Sequence, residues 1–278
     1  MPTSNESVEA HYTVTNLGDA ILDALKSMGK DLDNLNPADL APVDEFHVRG
    51  REATQELAKI AGGDSDTRVI DVGSGLGGSA RYLAHEFGCR VTGLDLTQEF
   101  CDVAIMLSKR TGLDGMTEFR QGSALEMPFE DASFDLAWTE HTQMNIADKA
   151  RFYSEIVRVL RPGGRLAFHD IFQGKKGDIR FPVPWANEPS ISFLTPIDDL
   201  EKTLESAGLR ILHWEDSTHR TFEWFQRFLE NMSSQVHAPS PLGLHLVTGT
   251  ERKVKTENLM RNLGENRIAV IQAVVEKV

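Results

Sequence analysis

Val69-Ile70-Asp71-Val72-Gly73-Ser74-Gly75-Leu76-Gly77-Gly78 is a short apolar strand that carries one carboxylate and runs directly into glycines. A helical pattern follows from Ser79. Glycine has no Cβ and tolerates unusual dihedrals, so such a turn lets a ligand lie against bare backbone. The helix it opens offers unpaired N–H groups and the positive end of its dipole. The next apolar strand ends on Asp95, 22 residues after Gly73. A glycine turn between strand and helix, with a carboxylate closing the following strand, points to a nucleoside-containing cofactor.

Outward from that turn the chain alternates. Strands are predicted at 68–72, 90–95, 117–121, 134–138 and 165–171, and helices at 78–87, 98–111 and 148–160. Alternation of this kind predicts a parallel sheet with helices on both faces and ligands at the carboxyl ends of the strands. Arg161-Pro162-Gly163-Gly164 is expected to stop a helix before the fifth strand. Upstream, residues 17–28 and 47–61 read as helices and 30–45 as a loop. Residues 172–197 break the alternation with prolines and aromatics of no clear period, the mark of a binding loop or lid. A helix (196–207), a strand (209–216), a helix (221–232), a loop (233–244), a helix (about 250–262) and a last strand (267–276) complete the pattern.

The composition narrows the classes of function. The 278 residues suffice for one large α/β domain, and 40% hydrophobic with 26% charged residues is ordinary for a globular chain. The net charge of −13 and only short basic clusters, such as Lys175-Lys176, argue against a nucleic-acid partner and for a small neutral or cationic one. No apolar run approaches the ~20 residues of a membrane span, and the opening residues lack a basic region ahead of an apolar core. Two cysteines, Cys89 and Cys101, without metal-type spacing fit a reducing compartment and no metal site. A cytoplasmic enzyme without membrane association is therefore expected, with a homodimer left open.

Gly73, Gly75 and Gly78 formally match G-x-G-x-x-G, a weak signal alone. In an NAD(P)-dependent oxidoreductase these glycines would face a pyrophosphate. S-adenosylmethionine has no phosphate but carries a ribose, an adenine and a charged amino acid tail. Asp71, two residues before the first glycine, and a C-terminal region too short for a separate dehydrogenase substrate domain favour the second cofactor.

With Asp44-Glu45-Phe46-His47, Asp71 to Gly78, Gly93-Leu94-Asp95-Leu96-Thr97 and the Leu160 to Gly164 turn, the chain resembles the class I S-adenosylmethionine-dependent methyltransferases. The likeness is strongest over about residues 45–175. It is nearest to small-molecule enzymes of the sarcosine/dimethylglycine, ubiquinone/menaquinone and tocopherol type. The resemblance implies a doubly wound, Rossmann-like, mostly parallel sheet of seven strands with an antiparallel C-terminal edge and a small helical and loop cap. It divides one domain (1–278) into N-terminal helices and lid (1–62), cofactor-binding core (63–171), acceptor loop (172–197) and the C-terminal part of the sheet (198–278). By position it places Asp71, Gly73, Ser74 and Gly75 near the methionine and ribose, Asp95 on the ribose hydroxyls, and Leu96, Ser123 and Ala124 at the adenine. Many relatives carry Asp where Ser123 stands, which weakens an adenine contact there. Thr139, Glu140 and His141 would face the sulfonium and the acceptor.

Three groups are candidate bases, in the order His141, Glu140, His169; a histidine pKa near neutrality suits that role. Tyr12, Trp185 and Phe193 are candidate acceptor contacts, and Trp138 is expected in the core. The activity implied is methyl transfer from S-adenosylmethionine to a small molecule. An amine such as sarcosine or dimethylglycine would suit an aromatic and acidic pocket; O- or C-methylation of a phenol or quinol is the alternative.

Overall fold

The computed structural model describes residues 4–234, 240–248 and 252–278. The loop expected over 233–244 and the start of the helix expected from about 250 fall partly outside those residues. Seven strands, β1 (Arg68–Val72), β2 (Arg90–Asp95), β3 (Thr117–Gln121), β4 (Phe134–Glu140), β5 (Leu160–Gln173), β6 (Leu209–Asp216) and β7 (Ile268–Lys277), form one sheet in the order β3-β2-β1-β4-β5-β7-β6. β3, β2, β1, β4 and β5 run parallel. β7 is antiparallel to both β5 and β6, so it supplies the antiparallel part of the sheet from between them.

Helices α1 (Ser4–Tyr12), α2 (Leu17–Ser27), α3 (Ala41–Asp44), α4 (Arg51–Ala61), α5 (Gly78–Phe87), α6 (Gln98–Arg110), α7 (Lys149–Val159), α8 (Ile197–Ser206), α9 (Thr218–Ser234), α10 (His245–Thr248) and α11 (Arg252–Gly264) surround it. Period-two alternation divides the strand side chains between two layers. Ile70 and Val72 pack with Phe152, Ile156 and Phe168 on one face. Val69 joins Leu57, Leu83, Leu136 and Trp138 on the other. Trp138 is fully buried, as expected.

The sequence places most elements within a few residues, with four corrections. β5 begins at Leu160 rather than 165. Leu160 pairs with Phe134 and Arg165 with Leu136, so the Arg161 to Gly164 turn is looped out of a strand that has already started. The stretch 30–45 is not all loop: a 3-10 turn (Pro37–Leu40) capped by Asn36 leads into α3. Residues 47–50 precede α4, where Arg49 and Gly50 have positive φ. Finally, α1 is a helix that the sequence reading left unassigned. It lies across the carboxyl edge of the sheet, and its Asn5, Val8, His11 and Tyr12 line the cavity there.

Candidate active site

A cavity of about 1290 Å³, its open mouth included, runs over the carboxyl ends of β1, β2 and β4. At one end its wall is main chain. Gly73 N–H and Ser74 N–H both donate to the Leu94 carbonyl, at 2.7 and 3.1 Å, which ties the turn after β1 to the end of β2. Gly73 has φ +77°, and a Cβ there would stand 2.2 Å from Thr142 Oγ1. Thr142 cannot yield easily, because its hydroxyl donates to the Val72 carbonyl at 3.1 Å. Gly78 is needed for a different reason: a Cβ would lie 2.6 Å from the Asp44 side chain. Asp44 in turn holds Arg81 at 2.7 Å, and Arg81 donates to the Leu76 carbonyl at 2.7 Å, so α3 and α5 clamp the turn.

Asp95 closes this end. Its Oδ2 accepts from Gly75 N–H at 2.8 Å and its Oδ1 from Thr97 N–H at 2.9 Å. Each oxygen keeps acceptor capacity toward the cavity. Burial raises its pKa, while the Thr97 and Gly75 donors act in the opposite sense. Leu96, Ser123 and Ala124 lie on the same wall. The Ser123 hydroxyl accepts from Asn5 at 3.4 Å and from Leu125 N–H at 3.2 Å. Asp71 is buried just behind the turn, with Oδ2 lacking a hydrogen-bond partner. Burial, then Glu140 and Asp95, push its pKa well above the usual carboxylate range.

At the other end the wall is made of side chains. Glu140 ends β4 and lines the cavity. It accepts from Ser79 Oγ at 2.5 Å, Trp138 Nε1 at 3.0 Å and Thr54 Oγ1 at 3.2 Å. His47 lies 3.6 Å from Glu140 and 2.8 Å from Glu45. Burial disfavours charge on His47, but Glu140 and Glu45 outweigh it and raise its pKa to about 9, so the ring is a cation at neutral pH. His141, next along the chain, has φ +51° and lines the cavity, with Nε2 buried and lacking a hydrogen-bond partner. Burial first, then His169 and His47, push its pKa well below the ordinary histidine value, so its ring is neutral and takes up a proton less readily than a free imidazole.

The side-chain end of the cavity is joined by Asn145, in the 3-10 turn Gln143–Asn145 after β4. Tyr12 donates to its Oδ1 at 3.0 Å, and its Nδ2 donates to the Trp185 and Ile191 carbonyls at 2.9 and 2.8 Å. One amide thus links α1, the turn after β4 and the 172–197 segment. Lys149, at the start of α7, donates to the carbonyls of Gln143, Ile146 and Phe193, the latter two at 2.5 and 2.7 Å. Asp170 accepts from Thr142 N–H and Gln143 N–H, each at 3.0 Å, and burial raises its pKa to about 6.

Of the sequence candidates, the structure brings Gly73, Gly75, Asp95, Leu96, Ser123, Ala124, Glu140, His141, Tyr12 and Trp185 onto one cavity wall. Five are placed elsewhere. His169 is fully buried, its Nε2 3.1 Å from the Val48 carbonyl, because residues 47–50 cover it. Thr139 is buried on the strand face opposite Glu140. The Ser74 and Asp71 side chains are buried off the wall. Phe193 contributes main chain rather than its ring, donating N–H to the Met144 carbonyl at 2.8 Å. Asn145, Thr142, Lys149, Asp170 and Lys255 were missed; each is a polar residue in a stretch without a motif. His47 was noted only as part of a resemblance. Among the described residues no group of three or more His, Cys, Asp or Glu is placed to hold a metal ion, and no helix is long and apolar enough to cross a membrane.

A cavity at the carboxyl ends of a doubly wound sheet, floored by a glycine turn and closed by the carboxylate that ends β2, is the site of a nucleoside-binding α/β protein. Residues 70–168 match the family model of the methyltransferase domain. A sarcosine/dimethylglycine N-methyltransferase of Halorhodospira halochloris is 31% identical over 182 residues, 66% of this chain and 64% of that protein. Methyltransferase GfsG of Streptomyces halstedii is 31% identical over 67% of each chain. Geranyl diphosphate C-methyltransferase from Streptomyces coelicolor A3(2), solved with Mg2+, geranyl-S-thiolodiphosphate and S-adenosyl-L-homocysteine, superposes with a TM-score of 0.71 at 18% identity, covering 100% of this chain and 99% of that one; this last likeness is one of fold. The chain belongs to the class I S-adenosylmethionine-dependent methyltransferases. The glycine-turn end of the cavity fits that cofactor: Asp95 ends β2 beside the turn with its carboxylate, and the orphaned Asp71 Oδ2 stands behind it.

Proposed function

We propose that the chain transfers the methyl group of S-adenosylmethionine to a small-molecule acceptor held between His141, Glu140 and Trp185. The observation that carries this reading is the continuity of one cavity from Asp95 to His141. Gly73, Gly75 and Asp95 would hold the methionine and ribose, and Leu96, Ser123 and Ala124 the adenine, with Asp71 acting from behind the turn. Bound S-adenosylmethionine supplies a methyl group already activated on sulfur. The protein's task is then to align the acceptor and exclude water. Tyr12 and Trp185 close the acceptor end through Asn145. His141 Nε2 receives the acceptor's proton where one must leave; Glu140, held by three hydroxyl or indole donors and His47, keeps the acceptor side negative.

An amine such as sarcosine or dimethylglycine is the acceptor we favour, supported by Glu140 on the cavity wall and by the activity named for the Halorhodospira relative. The apolar wall of Val8, Met144 and Val247 supports a second reading, O- or C-methylation of a phenol or quinol. The whole chain, 1–278, acts as one domain in this reading. The charge of −13 supports the absence of a nucleic-acid partner, and buried free Cys89 and Cys101 support a cytoplasmic setting. Leu229, 42% exposed on α9 near the stacked Trp224 and Phe228, supports a homodimer contact.

Calorimetric titration tests the donor assignment. S-adenosylhomocysteine binds the wild type and NADH does not; Asp95→Asn weakens the former by about tenfold to a hundredfold, the range of a charge-assisted hydrogen bond. Binding of NADH with no binding of S-adenosylhomocysteine overturns the reading.

A further inference from the structure

The α1 helix touches both ends of the cavity. Asn5, Val8 and Tyr12, at i, i+3 and i+7, share one helical face and line the cavity together. Tyr12 is held at one end of that face by Asn145. At the other end Asn5 donates Nδ2 to the Ser123 hydroxyl at 3.4 Å, on the wall shared by Leu96 and Ala124. That contact changes what Ser123 can do. A hydroxyl oxygen has two acceptor positions. Ser123 fills both, one with Asn5 and one with Leu125 N–H at 3.2 Å. It can still donate, but it has no acceptor position left for a ligand N–H. The main chain beside it is engaged as well. The Asp95 carbonyl accepts from Gly122 N–H at 2.8 Å, the Leu96 carbonyl from Gln121 Nε2 at 3.1 Å, and the Ser123 carbonyl from Glu126 N–H at 3.1 Å. The Asn5 amide differs. Its bond to Ser123 uses one N–H of Nδ2, and a primary amide offers a second N–H and a carbonyl oxygen besides. Such an amide matches adenine, its oxygen accepting from the exocyclic amino group and its N–H donating to a ring nitrogen.

We propose that Asn5 reads the exocyclic amino group of the cofactor's adenine, so that the base is recognised from the N-terminal helix and not by the strand ends alone. This rests on the placement of the adenine against Leu96, Ser123 and Ala124 given above. An adenine amino group turned toward a wall of engaged acceptors gives up its bond to water and gains none in return, which is costly. Asn5 Oδ1 supplies the missing acceptor. Ser123 keeps its hydroxyl hydrogen for an acceptor atom of the base and, through its contact with Nδ2, sets the orientation of the Asn5 amide.

Calorimetric titration with two ligands tests this: S-adenosylhomocysteine, and its analogue with unsubstituted purine in place of adenine, which lacks only the amino group. The wild type prefers S-adenosylhomocysteine by about tenfold. Asn5→Leu removes that preference, weakening S-adenosylhomocysteine by the same factor and leaving the purine analogue within about twofold of its wild-type affinity. Asn5→Asp, which keeps a side-chain oxygen as acceptor, retains the preference. Equal binding of the two ligands by the wild type overturns the proposal. So does a preference that survives in Asn5→Leu, even where both ligands weaken together, or one that Asn5→Asp loses as completely as Asn5→Leu. Failure of the wild type to bind S-adenosylhomocysteine at all overturns the donor assignment instead.

Discussion

At the donor end of the cavity the wall is main chain from neighbouring strands: Gly73 and Ser74 bonded to the Leu94 carbonyl, and Gly75 bonded to Asp95. At the acceptor end it is side chains from α1, the turn after β4, the 172–197 segment and α11, joined by Asn145 and Lys149. Main chain in a fixed turn offers a surface that few substitutions can change without breaking the turn. Side chains meeting at one amide can be exchanged one at a time. The fold therefore builds one end of the cavity rigidly and leaves the other adjustable.

The contrast predicts unequal costs. Gly73→Ala should be the most damaging single methyl group, because it combines a positive φ with a Cβ 2.2 Å from Thr142 Oγ1. Left-handed backbone and overpacking together cost about 4 kcal/mol, so titration should show roughly a thousandfold weaker S-adenosylhomocysteine binding. Near-wild-type affinity would mean the turn is softer than its contacts imply.

The next largest effect lies between the two ends, at His47. Its pKa is raised from an ordinary 6.5 to about 9. A raised folded-state pKa gives stability that is complete below 6.5 and is lost as pH climbs through 9. That linkage amounts to about 3 kcal/mol at most. Chemical denaturation at stepped pH should show wild-type stability falling across this window more steeply than that of His47→Gln. Parallel curves would remove the charge from His47.

Asn145→Ala tests the adjustable end. Loss of three hydrogen bonds, with the Trp185 and Ile191 carbonyls left unpaired, should cost about 2 kcal/mol of stability. It should raise KM for the acceptor while leaving S-adenosylhomocysteine affinity near that of the wild type. If both affinities fall together, the two ends are not separable.

The same contrast accounts for what could be read from the residues. β1, β2 and α5 announce themselves through apolar runs and glycines, and β1 and β2 lie side by side, so Asp71, Gly73, Gly75 and Asp95 are local in both sequence and space. Asn145 sits in a 3-10 turn with no period, and its partners lie 133, 40 and 46 residues away. The helix α1, Ser4–Tyr12, carries only Val8 and Ala10 among its apolar aliphatics, too few to make a stripe. His169 has the right strand end for a catalytic role but is covered by residues 47–50, and nothing in its own neighbourhood signals that cover. Strand alternation alone could have separated Thr139 from Glu140. It could not have shown that Glu140 keeps His47 charged, since that depends on residues 93 positions apart.

The claim that one cavity brings donor and acceptor together at His141 is tested most directly by His141→Gln, with binding and turnover measured on the same protein. S-adenosylhomocysteine affinity should match the wild type, while methyl transfer falls by about a hundredfold or more and its pH–rate profile flattens. Unchanged turnover with an unchanged pH profile would contradict it, and would place the acceptor away from the end of β4.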